Sequence, residues 1–188
     1  MRLFSNIISG MFHPLLMVTY GVVLALTFTY LAIDPPAMKL LLAGGAFLST
    51  AVIPGAFIFM MVKNGAAVDM ELSDRHERVV PYLIFITSIM VCAFYMYKMM
   101  LPFWFISLLL GACVALIMAL LINFFWKISA HAIGTGGLLG GIMGVARIHL
   151  INPYWAFIIV ILIAGLVGTS RIFLKRHTPM QVYLSLIH

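Results

Sequence analysis

The sequence predicts an all-helical bundle, a single domain that crosses a membrane about six times and gathers its chemistry at one face. Three observations predict it. Of 188 residues, 64% are hydrophobic and only 9% are charged, a balance outside the soluble globular range. The apolar residues fall into runs near the roughly 20 residues that a bilayer crossing needs. Three short polar clusters punctuate the runs, each separated from the next by two of them.

Taken in order, Met1 to Asn6 leads into an apolar span with no small-residue cleavage site behind it, which reads as a retained first helix. The first span runs from about Pro14 to Ile33 and stops at Asp34-Pro35-Pro36. The second, Leu40 to Val62, carries Pro54, which removes a backbone donor and predicts a kink. A long polar stretch follows from Lys63 to Glu77. The third span, Val79 to Tyr97, and the fourth, Met99 to Trp126, are separated by little more than Lys98 and Pro102, so they form a tight hairpin. The fifth, Ser129 to Ala146, is short and carries Gly136, Gly140 and Gly144 at four-residue spacing, the pattern of close helix packing in membranes. The sixth runs from Pro153 to Thr169.

Cys92 and Cys113 both lie in apolar runs and read as packing residues. The net charge of +6 is spread over short loops. It suits anionic headgroups or an anionic ligand and gives no support to nucleic acid as a partner. No metal-ligand spacing occurs, and no metal or cofactor is expected. His13 and His149 lie at span ends and read as headgroup-facing.

An even number of crossings returns the chain to the same side, so the three clusters meet at one surface. They are Asp74-Arg75-His76-Glu77-Arg78, then Lys127-Ile128-Ser129-Ala130-His131, then Ser170-Arg171 with His177. Arginines hold phosphate through planar bidentate hydrogen bonds. The helix start at Ser129-Ala130 offers free backbone N–H groups to an anion. A histidine near neutral pH serves as nucleophile or acid. His177 and Gln181 are four apart, so the amide reaches the imidazole if a helix starts at Thr178-Pro179. For the charged residues at 74–78, pairing among themselves in a solvated network is the competing reading.

Ser170-Arg171, five residues, His177, three residues, Gln181 resembles the third motif of the type 2 phosphatidic acid phosphatases, membrane lipid phosphatases that share a fold with vanadium haloperoxidases. That motif ends in aspartate, where this chain has Gln181. The second motif, Pro-Ser-Gly-His, is matched in part by Ile128-Ser129-Ala130-His131. The first, Lys-x6-Arg-Pro, is matched poorly: Glu71 stands at the lysine, and Val79-Val80 intervene between Arg78 and Pro81. The resemblance implies hydrolysis of a lipid phosphate or pyrophosphate through a phosphohistidine on His177. His131 would protonate the departing lipid oxygen, and Gln181 would orient the nucleophile. Arg171, Ser129, the Ala130 amide, Arg75 or Arg78, and Lys127 would hold the phosphate. The expected partners are a lipid phosphate and membrane lipids, in the bacterial cytoplasmic membrane. The alternative is a membrane protein of the same fold that binds or carries a lipid phosphate with little turnover.

Overall fold

The structure, a computed structural model, describes residues 2–70, 72, 74 and 76–187. It is helical throughout, with no strand among the described residues. Helix α1 (Arg2–Met11) meets α2 (Pro14–Phe28) at 55°. The break falls where Pro14 cannot continue a helix and His13 caps the next one, its Nδ1 accepting from the Leu15 amide at 3.4 Å. α1 is amphipathic in the inverted sense of a membrane protein: Ser5 and Ser9 are buried while Leu3, Phe4, Ile7 and Met11 face outward. The first predicted span is therefore shorter than expected, ending at Phe28 before a 3₁₀ turn, Tyr30–Ile33.

The second span is α3 (Pro36–Phe47), a π turn (Leu48–Val52) and α4 (Ile53–Lys63), together 28 residues. The kink expected at Pro54 takes the form of that π turn. Pro54 has no N–H for the carbonyl four residues back, and the wider turn accommodates its ring. Ser49 and Thr50 satisfy local carbonyls, donating to Gly45 O and Ala46 O at 2.8 Å each.

α5 (Val79–Lys98) and α6 (Phe103–Asn123) form the predicted hairpin and pack along their length. α7 (Ala130–His149), α8 (Tyr154–Phe173) and the short α9 (Pro179–Ile187) complete the bundle. Among the described residues, four helical segments are long and apolar enough to cross a membrane: Pro36–Lys63, His76–Lys98, Phe103–Asn123 and Tyr154–Phe173. The bent α1–α2 pair makes a fifth if counted as one span. α7 is 20 residues long but too diluted by glycine to qualify by hydropathy. The six expected spans thus resolve into four clear ones, which is compatible with a multi-pass membrane protein. Phe94, Leu121 and Leu162 are among the large apolar side chains that point outward, as a lipid-facing surface requires. The core joins Leu26 of α2, Leu42 of α3, Ile89 and Met96 of α5, and Phe105 and Cys113 of α6.

Helix ends fix what reaches the two ends of the bundle. α4, α5, α7 and α8 each stop in the same way, with a left-handed residue at Gly65, Met100, Leu150 and Lys175. The next amide then reaches back five residues, as Arg176 N does to Arg171 O at 3.1 Å. Only the first of these has the glycine that makes the conformation free; a side chain there costs on the order of 1 kcal/mol. At one end Trp104 donates to Tyr30 Oη at 3.0 Å, and both rings lie edge-on to His149. The other end holds the clusters.

Candidate active site

Arg78 sits in the 3₁₀ turn His76–Arg78 that opens α5 and is 5% exposed. Its Nε donates to Leu72 O and its Nη1 to Ile128 O, both at 2.7 Å. It thereby ties the loop before α5 to the linker before α7. Asp74 and Glu77 do not form the solvated network with it that their spacing allows. Asp74 Oδ1 accepts from the His76 amide at 2.9 Å, and Glu77 Oε2 from the Val68 amide at 3.1 Å. Arg75 and Glu71 lie outside the described residues.

The second cluster forms the start of α7. Ser129 is fully buried; its Oγ accepts from the Ala132 amide at 3.4 Å, and its own amide donates to Ser185 Oγ at 2.8 Å. The hydroxyl expected to hold phosphate is thus the N-cap. The Ala130 and His131 amides lie ahead of it in the first turn, where helical N–H groups have no helical acceptor. His131 is buried, its Nε2 donating to Ser9 O of α1 at 3.2 Å and its ring edge-on to His13 at 5.4 Å.

The third cluster brings a second buried arginine inward. Arg171, in the last turn of α8, is 3% exposed. The left-handed turn at Lys175 then swings His177 back beside it. Thr178 and Gln181 form a reciprocal capping box at the start of α9. The Thr178 amide donates to Gln181 Oε1 at 3.1 Å, and the Gln181 amide to Thr178 Oγ1 at 3.3 Å. His177 Nδ1 lies 3.3 Å from the same Oε1. Because that oxygen already accepts from a backbone amide, it is an acceptor here, and Nδ1 must carry the hydrogen. The lone pair of neutral His177 is therefore on Nε2.

His177 is held neutral. Burial, then the charges of Arg78, Arg171 and Lys127, push it down to about 3, against the opposing hydrogen bond from Gln181. Lys127, half-buried in the linker, is lowered by burial and then by Arg78, Arg176 and Arg171. Arg176 turns outward to Asp69, 3.6 Å away. Three cations thus bear on one neutral imidazole.

His177, Arg171, Arg78, His131 and Ala130 all line one cavity of about 470 Å³, whose remaining wall is overwhelmingly apolar. The structure also places there two residues that the sequence reading passed over. His13 read as a span end, and its helix-breaking Pro14 was the available signal. Tyr82 stands four residues after Arg78, one helical turn on, and its position inside an apolar run hid it. Comparison with protein-family models, curated proteins and solved structures finds no match for the chain.

Proposed function

We propose that the chain is a membrane lipid phosphatase that hydrolyses a lipid phosphate or pyrophosphate through a phosphohistidine. The observation that carries this reading is a neutral His177, with Nε2 unprotonated, beside Arg78 and Arg171 at the polar end of an apolar cavity, with the charge of Lys127 also bearing on it. Guanidinium groups bind phosphate through paired hydrogen bonds, and a phosphate with a hydrocarbon tail fits both the cationic and the apolar halves of the cavity.

In the first step Nε2 attacks phosphorus, the P–O bond to the lipid breaks, and the lipid oxygen leaves with a proton. That proton is the one carried by the phosphate monoanion itself, since a buried His131 beside Arg171, with its Nε2–H on Ser9 O, presents Nδ1 as an acceptor. In the second step water attacks the phosphohistidine, releasing phosphate and restoring the Nε2 lone pair. Guanidinium groups and the Ala130 and His131 amides stabilise the phosphoryl charge. Arg75 is the remaining candidate for the same work.

A second reading has one observation in its favour. Gln181, where the resembling family has aspartate, is neutral and already engaged by the Thr178 amide. A protein that binds a lipid phosphate without turning it over fits that feature. The test is release of inorganic phosphate by the purified chain from a panel of phosphatidic acid, phosphatidylglycerophosphate, prenyl pyrophosphates and lipid A. Release abolished by His177→Ala and inhibited by vanadate, a mimic of the transition state, supports the enzyme. Saturable binding without release supports the second reading.

A further inference from the structure

The glycines of α7 are of two kinds. A Cβ added at Gly134 would meet Met17 Cγ at 2.8 Å, and one at Gly136 would meet Leu186 O at 2.5 Å. These two allow close approach of neighbouring elements. At Gly137, Gly140 and Gly141 an added Cβ meets nothing within 4 Å, and all three line the cavity. Of the four-residue series expected to mark a packing seam, Gly136 packs against Leu186 and Gly144 meets Leu108 Cδ2 at 3.7 Å, while Gly140, with Gly137 and Gly141 beside it, opens onto the void. Protein interiors are close-packed, and a gap along three bare backbone positions forfeits dispersion contacts.

The void is also long. α7 contributes lining residues from Ala130 to Val145, a rise of about 22 Å at 1.5 Å per residue. The hydrocarbon core of a bilayer is about 30 Å thick, so its midplane lies about 15 Å from either side. Laid along the bilayer normal, a void of that length would reach from the cationic end past the midplane, and it continues to Ile151 and Pro153. Near its polar end stands Tyr82, 7% exposed, whose hydroxyl has no hydrogen-bond partner among the described residues. A buried hydroxyl in apolar surroundings is costly unless an acceptor or donor meets it.

We propose that the cavity seats one hydrocarbon chain of a phosphate-bearing lipid, laid along Gly137, Gly140 and Gly141. Tyr82 donates to the oxygen that joins chain to phosphate, and chains long enough to pass the bilayer midplane are preferred. This rests on reading the cationic end as an anion site, but not on turnover there. Bilayer lipid is as apolar as the cavity, so entry gains no transfer free energy. Selection is by shape, which makes the glycine wall the determinant of chain length.

The experiment measures binding of n-alkyl phosphonates of increasing chain length to the full chain in nanodiscs, for wild type, Gly137→Leu and Gly141→Leu. Phosphate release from the matching alkyl phosphates is recorded alongside. Wild-type affinity should rise with length and then level off. The ratio of long-chain to short-chain affinity should fall in both variants, with the plateau reached at a shorter chain for Gly137→Leu, which lies about 6 Å nearer the cationic end. Tyr82→Phe should leave phosphonate binding unchanged, because a phosphonate has no ester oxygen. It should weaken binding of the matching alkyl phosphates, measured by competition against the phosphonate, roughly fivefold at every length, the effect of one lost hydrogen bond. Should either leucine fail to fold, Gly137→Ala and Gly141→Ala narrow the same wall and should shift the plateau in the same order. A shifted plateau with no phosphate release from wild type would remove the phosphatase reading and leave the chain seat standing. Folded variants with the wild-type length profile, or a wild type that binds no phosphonate of any length, would overturn the seat.

Discussion

The two ends of the bundle use histidine and aromatic residues in opposite ways. At the far end, His149 is caged by Tyr30 and Trp104, rings against rings, with one hydrogen bond between the aromatics. At the cationic end, His177 and His131 are each positioned by an oxygen acceptor, Gln181 Oε1 for one and Ser9 O for the other. Arg78 likewise holds two backbone carbonyls. Ring packing tolerates small displacements, because its energy varies gently with angle and distance. Hydrogen bonds to fixed acceptors set a tautomer and a direction. The far end therefore reads as a belt that anchors helices, and the cationic end as a place where atoms must be held in register.

Removing His177, the proposed nucleophile, should have the largest effect and breaks the comparison if it does not. His177→Asn should lower phosphate release on the order of 10⁴-fold or more, as loss of a nucleophilic residue does elsewhere. Retained turnover in a phosphate-release assay would make the two ends equivalent. Next comes Arg78→Lys. An ammonium cannot serve Leu72 O and Ile128 O in the same fork while facing the site, so turnover should fall about 10²-fold. The same variant should lose roughly 1–3 kcal/mol of stability from carbonyls left unsatisfied, seen as a lower melting temperature in detergent.

Gln181 sharpens the comparison through pH. His177 must be neutral to attack, and its depression to about 3 puts the acid limb of its profile well below the ordinary histidine range. Gln181→Glu retains the capping box and adds a carboxylate beside Nδ1, which stabilises the imidazolium and raises the His177 pKa. The acid limb of kcat/KM should move to higher pH, and an unmoved limb would show that Gln181 does not govern His177. Gln181→Ala should lower turnover with little change in substrate binding. The smallest effect belongs to the far end. Trp104→Phe removes one hydrogen bond worth about 1 kcal/mol and should leave turnover unchanged.

What could be read in the sequence depended on spacing. Crossing parity brought residues 78, 127–131 and 171–181 to one end. The Thr-Pro-x-Gln pattern announced both the start of α9 and the reach of Gln181 to His177. Other features left no local mark. Pro14 marked the start of the first span, where α2 begins, but His13, an unusual cap, gave no sign that a separate helix, α1, precedes it at an angle. The left-handed turns at Met100, Leu150 and Lys175 lack the glycine that signals them. Side-chain direction was hidden as well. Asp74, Glu77 and Arg78 are neighbours in sequence, yet only a folded loop decides that the acids cap amides while the arginine turns inward.

The close approach at Gly136 has a consequence for how this chain can drift. The obstacle to a larger residue there is the carbonyl of Leu186, a backbone atom, so no replacement of the side chain at 186 relieves it. A saturation library screened for folded protein should return glycine alone at position 136. At 140, one turn along the same helix, many residues should survive. The survivors there should change with the amphiphile used for selection, making 136 a fixed point of inheritance and 140 a record of diet.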